Sequence, residues 1–276
     1  SLDLTVFAEH VLKDHGGAVQ ICYQQLPESI VYARLNDGTV GCLTYEADQQ
    51  VYSWSRFILG GPDAWVESIA CVPEGSQYRL YLAVSRTING ATVRSIEVLE
   101  PEFRPTSSTD KTTMLFLDNY ASGGAHAAAL TGLNDFKGCT VNAVVDNAVY
   151  HDLTVAADGT LTLPAAAATR YAVGFPFTST LKTFPIEAPA QMGTTQGKVK
   201  RMNHLSLRLL DSYGFSHGGS LSRLTYETFN GTAMFSGDKR VPFENGFDTR
   251  GAFYVVQSKS YPLAILSLMP EIAQYS

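Results

Sequence analysis

Hydrophobic and polar positions are most clearly ordered in residues 78–100, YRLYLAVSRTINGATVRSIEVLE. Tyr78, Leu80, Leu82 and Val84 recur with period two, and Tyr81 and Ala83 occupy the other face. A run that is apolar on both sides predicts a strand covered on both sides. Asn89 and Gly90 tolerate positive φ, so they predict a tight hairpin turn of the primed type. The return strand sets Val93, Ile96 and Val98 against Arg94, Ser95 and Glu97, with one slip at Arg94-Ser95 that predicts a bulge.

Leu4, Phe7, Ala8, Val11 and Leu12 follow helical spacing. With Asp3 or Thr5 as cap and Gly16-Gly17 as stop, they predict one short helix over about 4–13. Strands are predicted over 30–35, 39–45, 51–58, 65–72 and the two arms of the hairpin. They group into two loosely similar units, 30–58 and 66–99, each of about three strands. Repeated units of this size build propeller blades, and a meandering sheet with similar turns has the same signature.

Residues 101–113 (PEFRPTSSTDKTT) carry two prolines, a Ser/Thr run and no apolar period, which predicts a boundary between a domain over 1–103 and a second over 104–276. Beyond it, short strands are predicted over 114–117, 139–145, 148–155, 160–163, 171–186, 203–210, 253–257 and 263–269. Pro176 marks an edge or bulge, Pro262 and Pro270 mark strand ends, and Ser216-His217-Gly218-Gly219-Ser220 is expected as a loop. The last third is expected to close onto the 114–186 region. The fold class that results is mainly β: propeller-blade-like antiparallel sheets, then a β-sandwich or barrel, with one short N-terminal helix.

Composition narrows the function. The chain has 276 residues, 45% apolar and 17% charged, with a net charge of −6. That is a globular chain, and its acidic balance argues against binding dominated by nucleic-acid phosphates. Cys22, Cys42, Cys71 and Cys139 are widely spaced and form no C-x-x-C pair, so they read as small buried hydrophobes rather than zinc ligands. No run approaches the ~20 apolar residues of a membrane span. The opening Ser1-Leu2-Asp3 reads as part of a longer protein.

Candidate chemistry is sparse. Ser122 and His126, or His217 with Asp211 and Ser216, carry hydrolase residue types without a G-x-S-x-G elbow. A glycosidase pair would come from Asp110, Asp118, Asp135, Asp146, Asp152, Asp158 and Glu187, several of which fall where turns favour Asp. No phosphate-cradling glycine loop occurs. Lys198, Lys200 and Arg201 are the best candidates for an electrostatic contact patch, with Lys239-Arg240 a second cluster. Tyr23-Gln24-Gln25 and Tyr52-Ser53-Trp54-Ser55 would suit sugar rings, so a carbohydrate-binding β module is the alternative function. No catalytic residue, cofactor or metal is expected.

The hairpin residues Val84, Arg86-Thr87-Ile88-Asn89-Gly90, Arg94 and Ile96-Glu97 resemble a segment of the tail nozzle family of short-tailed bacteriophages (tail tubular protein B) and related prophage proteins. So do DLTVFAEH at 3–10, GCLTYEADQQVYSW at 41–54 and GKVKRMNHLSLRLL at 197–210. The stretch from Ser236-Gly237-Asp238 through Pro262-Leu263 to Met269-Pro270-Glu271 is similar to that family's C-terminal end. The resemblance implies a virion structural protein with propeller-like and sandwich parts and no catalytic residues. It further implies a homo-oligomeric ring below portal and adaptor, with tail fibre proteins as neighbours and DNA as transient cargo. The implied location is the virion tail, after assembly in the host cytoplasm.

Overall fold

The computed structural model describes residues 3–6, 8–107, 114–187, 197–229, 233–243 and 246–275. The chain is mainly β, in antiparallel sheets. It forms two compact units. One holds Ser1–Glu102, Leu117–Val145 and Tyr150–Phe177; the other holds Phe103–Phe116, Asp146–Val149 and Thr178–Ser276. The chain thus leaves the first unit after Glu102, returns to it at Leu117 and leaves it finally after Phe177.

The helix α1 covers only Glu9–Leu12, followed by a 3-10 turn over Lys13–His15. It is shorter than its apolar spacing suggests because the preceding residues are held in turns. Asp3 Oδ1 accepts from Thr5 N at 2.8 Å, and Ala8 N donates to Thr5 O at 2.8 Å. Gly16 and Gly17 end it at positive φ, with Gly17 N donating to Leu12 O.

β1 (Ala18–Gln24), β2 (Ile30–Leu35), β3 (Val40–Glu46) and β4 (Val51–Phe57) form a four-stranded meander. β5 (Trp65–Glu74), β6 (Gln77–Ile88) and β7 (Ala91–Val98) form a three-stranded one. Both are blade-like, and β1 is the strand that the expected triplet lacks. Tyr32, Val40 and Cys42 of the first sheet share a core with Val66, Ile69, Leu80, Leu82 and Val84 of the second. Asn89 and Gly90 both take positive φ, and Ile88 pairs with Ala91, the geometry their residue types predict.

The expected bulge at Arg94-Ser95 is absent: β6 and β7 pair without a register shift from Tyr81–Val98 to Ile88–Ala91. The apolar alternation slips because polar Ser95 and Glu97 point inward, while Ile96, 73% exposed, points out. A bulge does occur, between β5 and β6 at Val66 and Ser68.

β8 (Asp118–Gly123), β9 (Ala129–Leu130), β10 (Thr140–Val145), β11 (Ala148–Thr154), β12 (Leu161–Thr162) and β13 (Tyr171–Phe175) follow. They make a sheet of order β11-β10-β13-β8 and a short β12-β9 pair. Met114 and Leu117, expected in a strand, are buried without joining one. The core here gathers Val141, Ala143, Val145, Val173 and Phe175, with Ile88 from the end of β6. One face of β6 therefore runs from the blade core at Leu80, Leu82 and Val84 to this second core at Ile88, with Arg86 between them.

The second unit contains β14 (Ser179–Lys182), β15 (Val199–Ser212), β16 (Gly214–Ser220), β17 (Arg223–Thr228), β18 (Phe235–Pro242), β19 (Tyr254–Gln257) and β20 (Ala264–Tyr275). Two antiparallel sheets, β14-β19-β16-β17 and β18-β15-β20, share one core and make a sandwich. Leu205, Leu207 and Leu209 of β15 meet Phe215 and Val255 in it. Several expectations change here. The 171–186 run is two strands, because Pro176 ends the first; of that region, β14 is the strand taken up by the later sheets. Residues 216–220 are strand, not loop: Gly218 lets the backbone of Arg223 approach so closely that a Cβ would stand 2.1 Å from its carbonyl oxygen. Pro270 lies inside β20 opposite Leu205, tolerated because β20 is an edge strand with β15 as its one neighbour.

The register fixes which leucines carry stability. Leu207 is buried and Leu210 is half exposed, so Leu207→Ala is expected to cost about 2–5 kcal/mol. Leu210→Ala is expected to cost under about 1 kcal/mol, both read by urea titration.

Candidate functional site

Arg86 is a cation placed on the inward face of β6. It is 3% exposed. A buried guanidinium needs a paired charge and partners for its remaining N–H groups. Glu97 supplies the charge through both carboxylate oxygens, Nη2–Oε2 being 3.1 Å. Ser95 Oγ donates to the same carboxylate at 2.6 Å. Arg86 Nε donates to Gly60 O at 2.8 Å, and its guanidinium carbon lies 5.2 Å from the centre of the Phe175 ring. The Gly60-Gly61 turn leaves the room: a Cβ on Gly60 would stand 2.2 Å from Pro176 O, and one on Gly61 2.7 Å from Arg86 itself.

Asp118, at the start of β8, completes this knot by accepting from Gly60 N at 2.6 Å. Its carboxyl is pushed up to about 6, chiefly by burial. The Gly60 N–H and the Arg86 charge oppose that rise, and the Glu97 charge adds to it. Asp118 belongs to the carboxylates singled out in the sequence, but its setting was not legible there: the inward polar positions of β7, its one trace, read as a bulge.

The second polar feature lies on the sandwich unit. On the outer face of β18-β15-β20, Arg208 pairs with Asp238 at 2.8 and 3.0 Å. Arg240 pairs with Glu271 at 2.8 Å through each of two nitrogens and approaches His204 Nδ1 at 2.9 Å. Arg240 and Glu271 border an open groove of about 970 Å³, together with Arg201, His204, Arg223 and Phe243. Among the described residues that line it, three guanidiniums stand against one carboxylate. Cross-strand placement brings these residues together: the sequence singles out Arg201 and Arg240, in separate clusters, but not their meeting.

The triad Lys198, Lys200 and Arg201 does not share one face. Extending the Leu205-Leu207-Leu209 period backward would put Lys200 outside. A register shift between Met202 and His204 inverts the parity, so Lys200 and Met202 turn inward and Arg201 outward. Lys200 is 4% exposed, and its Nζ donates to Thr249 O at 3.0 Å. Lys198 is half-buried in the turn before β15, and Arg201 lies 5.8 Å from the Phe247 ring. Lys239-Arg240, the second basic cluster, lies on β18.

The hydrolase candidates do not assemble a triad. Ser216 and His217 are strand neighbours, so their side chains point to opposite faces. His217 is 1% exposed and packs on Phe215 and Phe243. Its Nε2 stands 3.5 Å from Glu227, and burial holds its pKa below the usual value. His126 turns Nδ1 to Ala127 O and packs on Tyr171, while Ser122 is exposed on β8.

Of the remaining carboxylates, Asp158 caps its own turn through Thr160, which holds its carboxyl below the usual range. Asp146 and Asp152 take positive φ, and Asp135 and Glu187 are exposed. Asp110 lies outside the described residues. Trp54 donates Nε1 to Leu4 O, and Tyr52 packs on Tyr45, so these aromatics are engaged in packing. Among the described residues no three His, Cys, Asp or Glu side chains are placed to hold a metal ion. No helix there is long and apolar enough to cross a membrane.

Two outcomes follow from the knot. Arg86→Met leaves Glu97 buried and unpaired, for an expected loss of about 3–5 kcal/mol. The double variant with Glu97→Gln should recover part of that loss in a double-mutant cycle. Asp118 titrates higher in the native than in the unfolded chain, so the native state keeps a proton that the unfolded state has lost. Its ionisation thus opposes folding above about pH 6, and the opposition fades as pH falls toward 4. Asp118→Asn keeps an acceptor for Gly60, and is expected to add about 1–2 kcal/mol at pH 7.5 and almost nothing at pH 4 by thermal unfolding.

No family model matches the chain, and no curated protein matches it. Among solved structures it is similar to an exo-beta-1,3-galactanase from Phanerochaete chrysosporium with galactose bound. Identity is 10%, with 91% of this chain and 80% of that one covered and a TM-score of 0.18. A score that low says nothing about what this chain folds like or does.

Proposed function

We propose that the chain is a structural component of a tail-nozzle-type phage or prophage assembly, working through protein–protein contacts around a DNA exit channel rather than through catalysis. The observation that carries this reading is the apolar surface left on its strand faces. Ile96 on β7 is 73% exposed and Ile21 on β1 is 69% exposed, with Val19 and Tyr23 beside Ile21 on the same strand. Scattered single exposures are ordinary, but β-branched side chains at the middle of strand faces suit contact with another surface. The residues that resemble the nozzle family also support it. Arg86, Asn89, Gly90 and Glu97 hold a ribbon in place, which is framework work. A ring around passing DNA needs stiff parts and few phosphate contacts, and the net charge of −6 suits that.

The test uses particles purified from the source strain after induction. Peptides of this chain should be recovered from them in stoichiometric amount. Ile21→Lys and Ile96→Lys chains should fold with thermal midpoints near the parent's, yet enter particles at least about tenfold less. Absence of the chain from purified particles, or specific binding of the folded chain to a glycan array, would overturn the reading.

A further inference from the structure

We propose that Cys22 and Cys71 are a redox-active dithiol that closes into an intrachain disulfide and staples the first two sheets of the first unit together. This goes beyond the assembly reading and does not depend on it. Cys22 lies on β1 and Cys71 on β5, in different sheets, 49 residues apart in sequence, and their sulfur atoms stand 2.8 Å apart. Both are half-buried, so a small oxidant has access, and neither is in a disulfide here.

The backbone around them is already tied in register. Two residues earlier on the same face of β1, the Gln20 side chain bridges to β5. Its Nε2 donates to Ile69 O at 2.8 Å, and its Oε1 accepts from Ile69 N at 3.0 Å. Gln20 with Ile69 and Cys22 with Cys71 are therefore two successive rungs between the same two strands. The first rung holds the thiols of the second within reach without strand movement, which disulfide geometry demands.

The other two thiols lack this setting. Cys42 is buried, its thiol donates to Val40 O at 3.9 Å, and burial pushes it up to about 12. Cys139 is buried in the other core of the unit. Within the pair, the Cys71 thiol donates to Cys22, which holds Cys22 below the ordinary thiol value and makes it the attacking sulfur.

With oxidised glutathione as the oxidant, the Cys22 thiolate attacks one glutathione sulfur. A mixed disulfide forms and one glutathione thiolate leaves. Cys71, losing its proton to solvent, then attacks Cys22 Sγ and expels the second. Two protein thiols become one disulfide, and one glutathione disulfide becomes two glutathione thiols, an exchange of two electrons.

The experiment incubates the purified chain in reduced or oxidised glutathione at pH 8, quenches by alkylation and maps peptides without reductant. Oxidation is expected to lower the thiol count in denaturant from four to two and to give a linked Cys22–Cys71 peptide. It should raise the thermal midpoint by at least about 5 °C, reversed by dithiothreitol. Cys22→Ser and Cys71→Ser should each abolish the rise, while Cys42→Ser keeps it. Four thiols surviving oxidation would overturn the proposal. So would a link through Cys42 or Cys139 or between chains, or a Cys22–Cys71 link without a thermal shift.

Discussion

A guanidinium on the inward face of an apolar strand is the constraint from which much of the first unit follows. Removing a charge from water costs several kcal/mol, and only a partner buried with it offsets that cost. Arg86 therefore dictates what stands opposite. Glu97 and Ser95 must point inward on β7, which turns Ile96 to solvent. Nε needs a carbonyl, which only a turn brought unusually close can offer, and Gly60-Gly61 is that turn. Gly60 then spends its N–H on Asp118, fixing the start of β8. One buried charge thus orders both arms of the β6–β7 hairpin, the Gly60-Gly61 turn and the start of β8.

Legibility followed from the same physics. Strands β2 to β7 and the Asn89-Gly90 turn were readable because period-two alternation and positive-φ residue types are local signals. The misreading of Arg94-Ser95 as a bulge shows where local signals end: alternation assumes an apolar inside, and here the inside is polar because of Arg86. Lys200 failed for the complementary reason. A bulge at Met202–His204 inverted the parity of β15, and nothing in the side chains of 202–204 announces it. β16 was taken for a loop because Ser, His and Gly dominate it, although Gly218 is what lets two backbones approach. The arginine groove was invisible because its members meet across strands and never along the chain.

The two units divide their polar residues differently. In the sandwich unit, apart from the inward Lys200, the Arg208–Asp238 and Arg240–Glu271 pairs lie cross-strand on the outer sheet face, exposed and worth little individually. They keep that face wet and blunt the edges without deciding the core, which Leu205, Leu207 and Leu209 build with the surrounding phenylalanines, Met202, Val241 and Val255. In the first unit exposed pairs such as Arg94–Glu67 also occur, but the Arg86–Glu97 pair lies inside and decides the local arrangement. A substitution on the sandwich surface is therefore absorbed, whereas one at Arg86, Gly60 or Glu97 reaches every segment tied to them.

That difference has a physical origin in how the first unit is put together. Its two blade-like sheets share no ladder of backbone hydrogen bonds, only isolated ones such as Val66 N to Gly38 O at 2.9 Å and Tyr78 N to Leu26 O at 3.0 Å, so side chains supply much of the remaining register. Apolar contact supplies attraction but no direction, and Val40 against Val66 would tolerate a slide along the strand. Directional groups remove that freedom. The Gln20 carboxamide imitates a backbone rung by giving Ile69 one donor and one acceptor, and the neighbouring thiols extend the same alignment. Farther along β6, Arg86 repeats the principle with a charge. Specific stacking of sheets here rests on a few buried polar ties set at intervals in an apolar interface, and each tie costs a side-chain type that alternation alone would not choose.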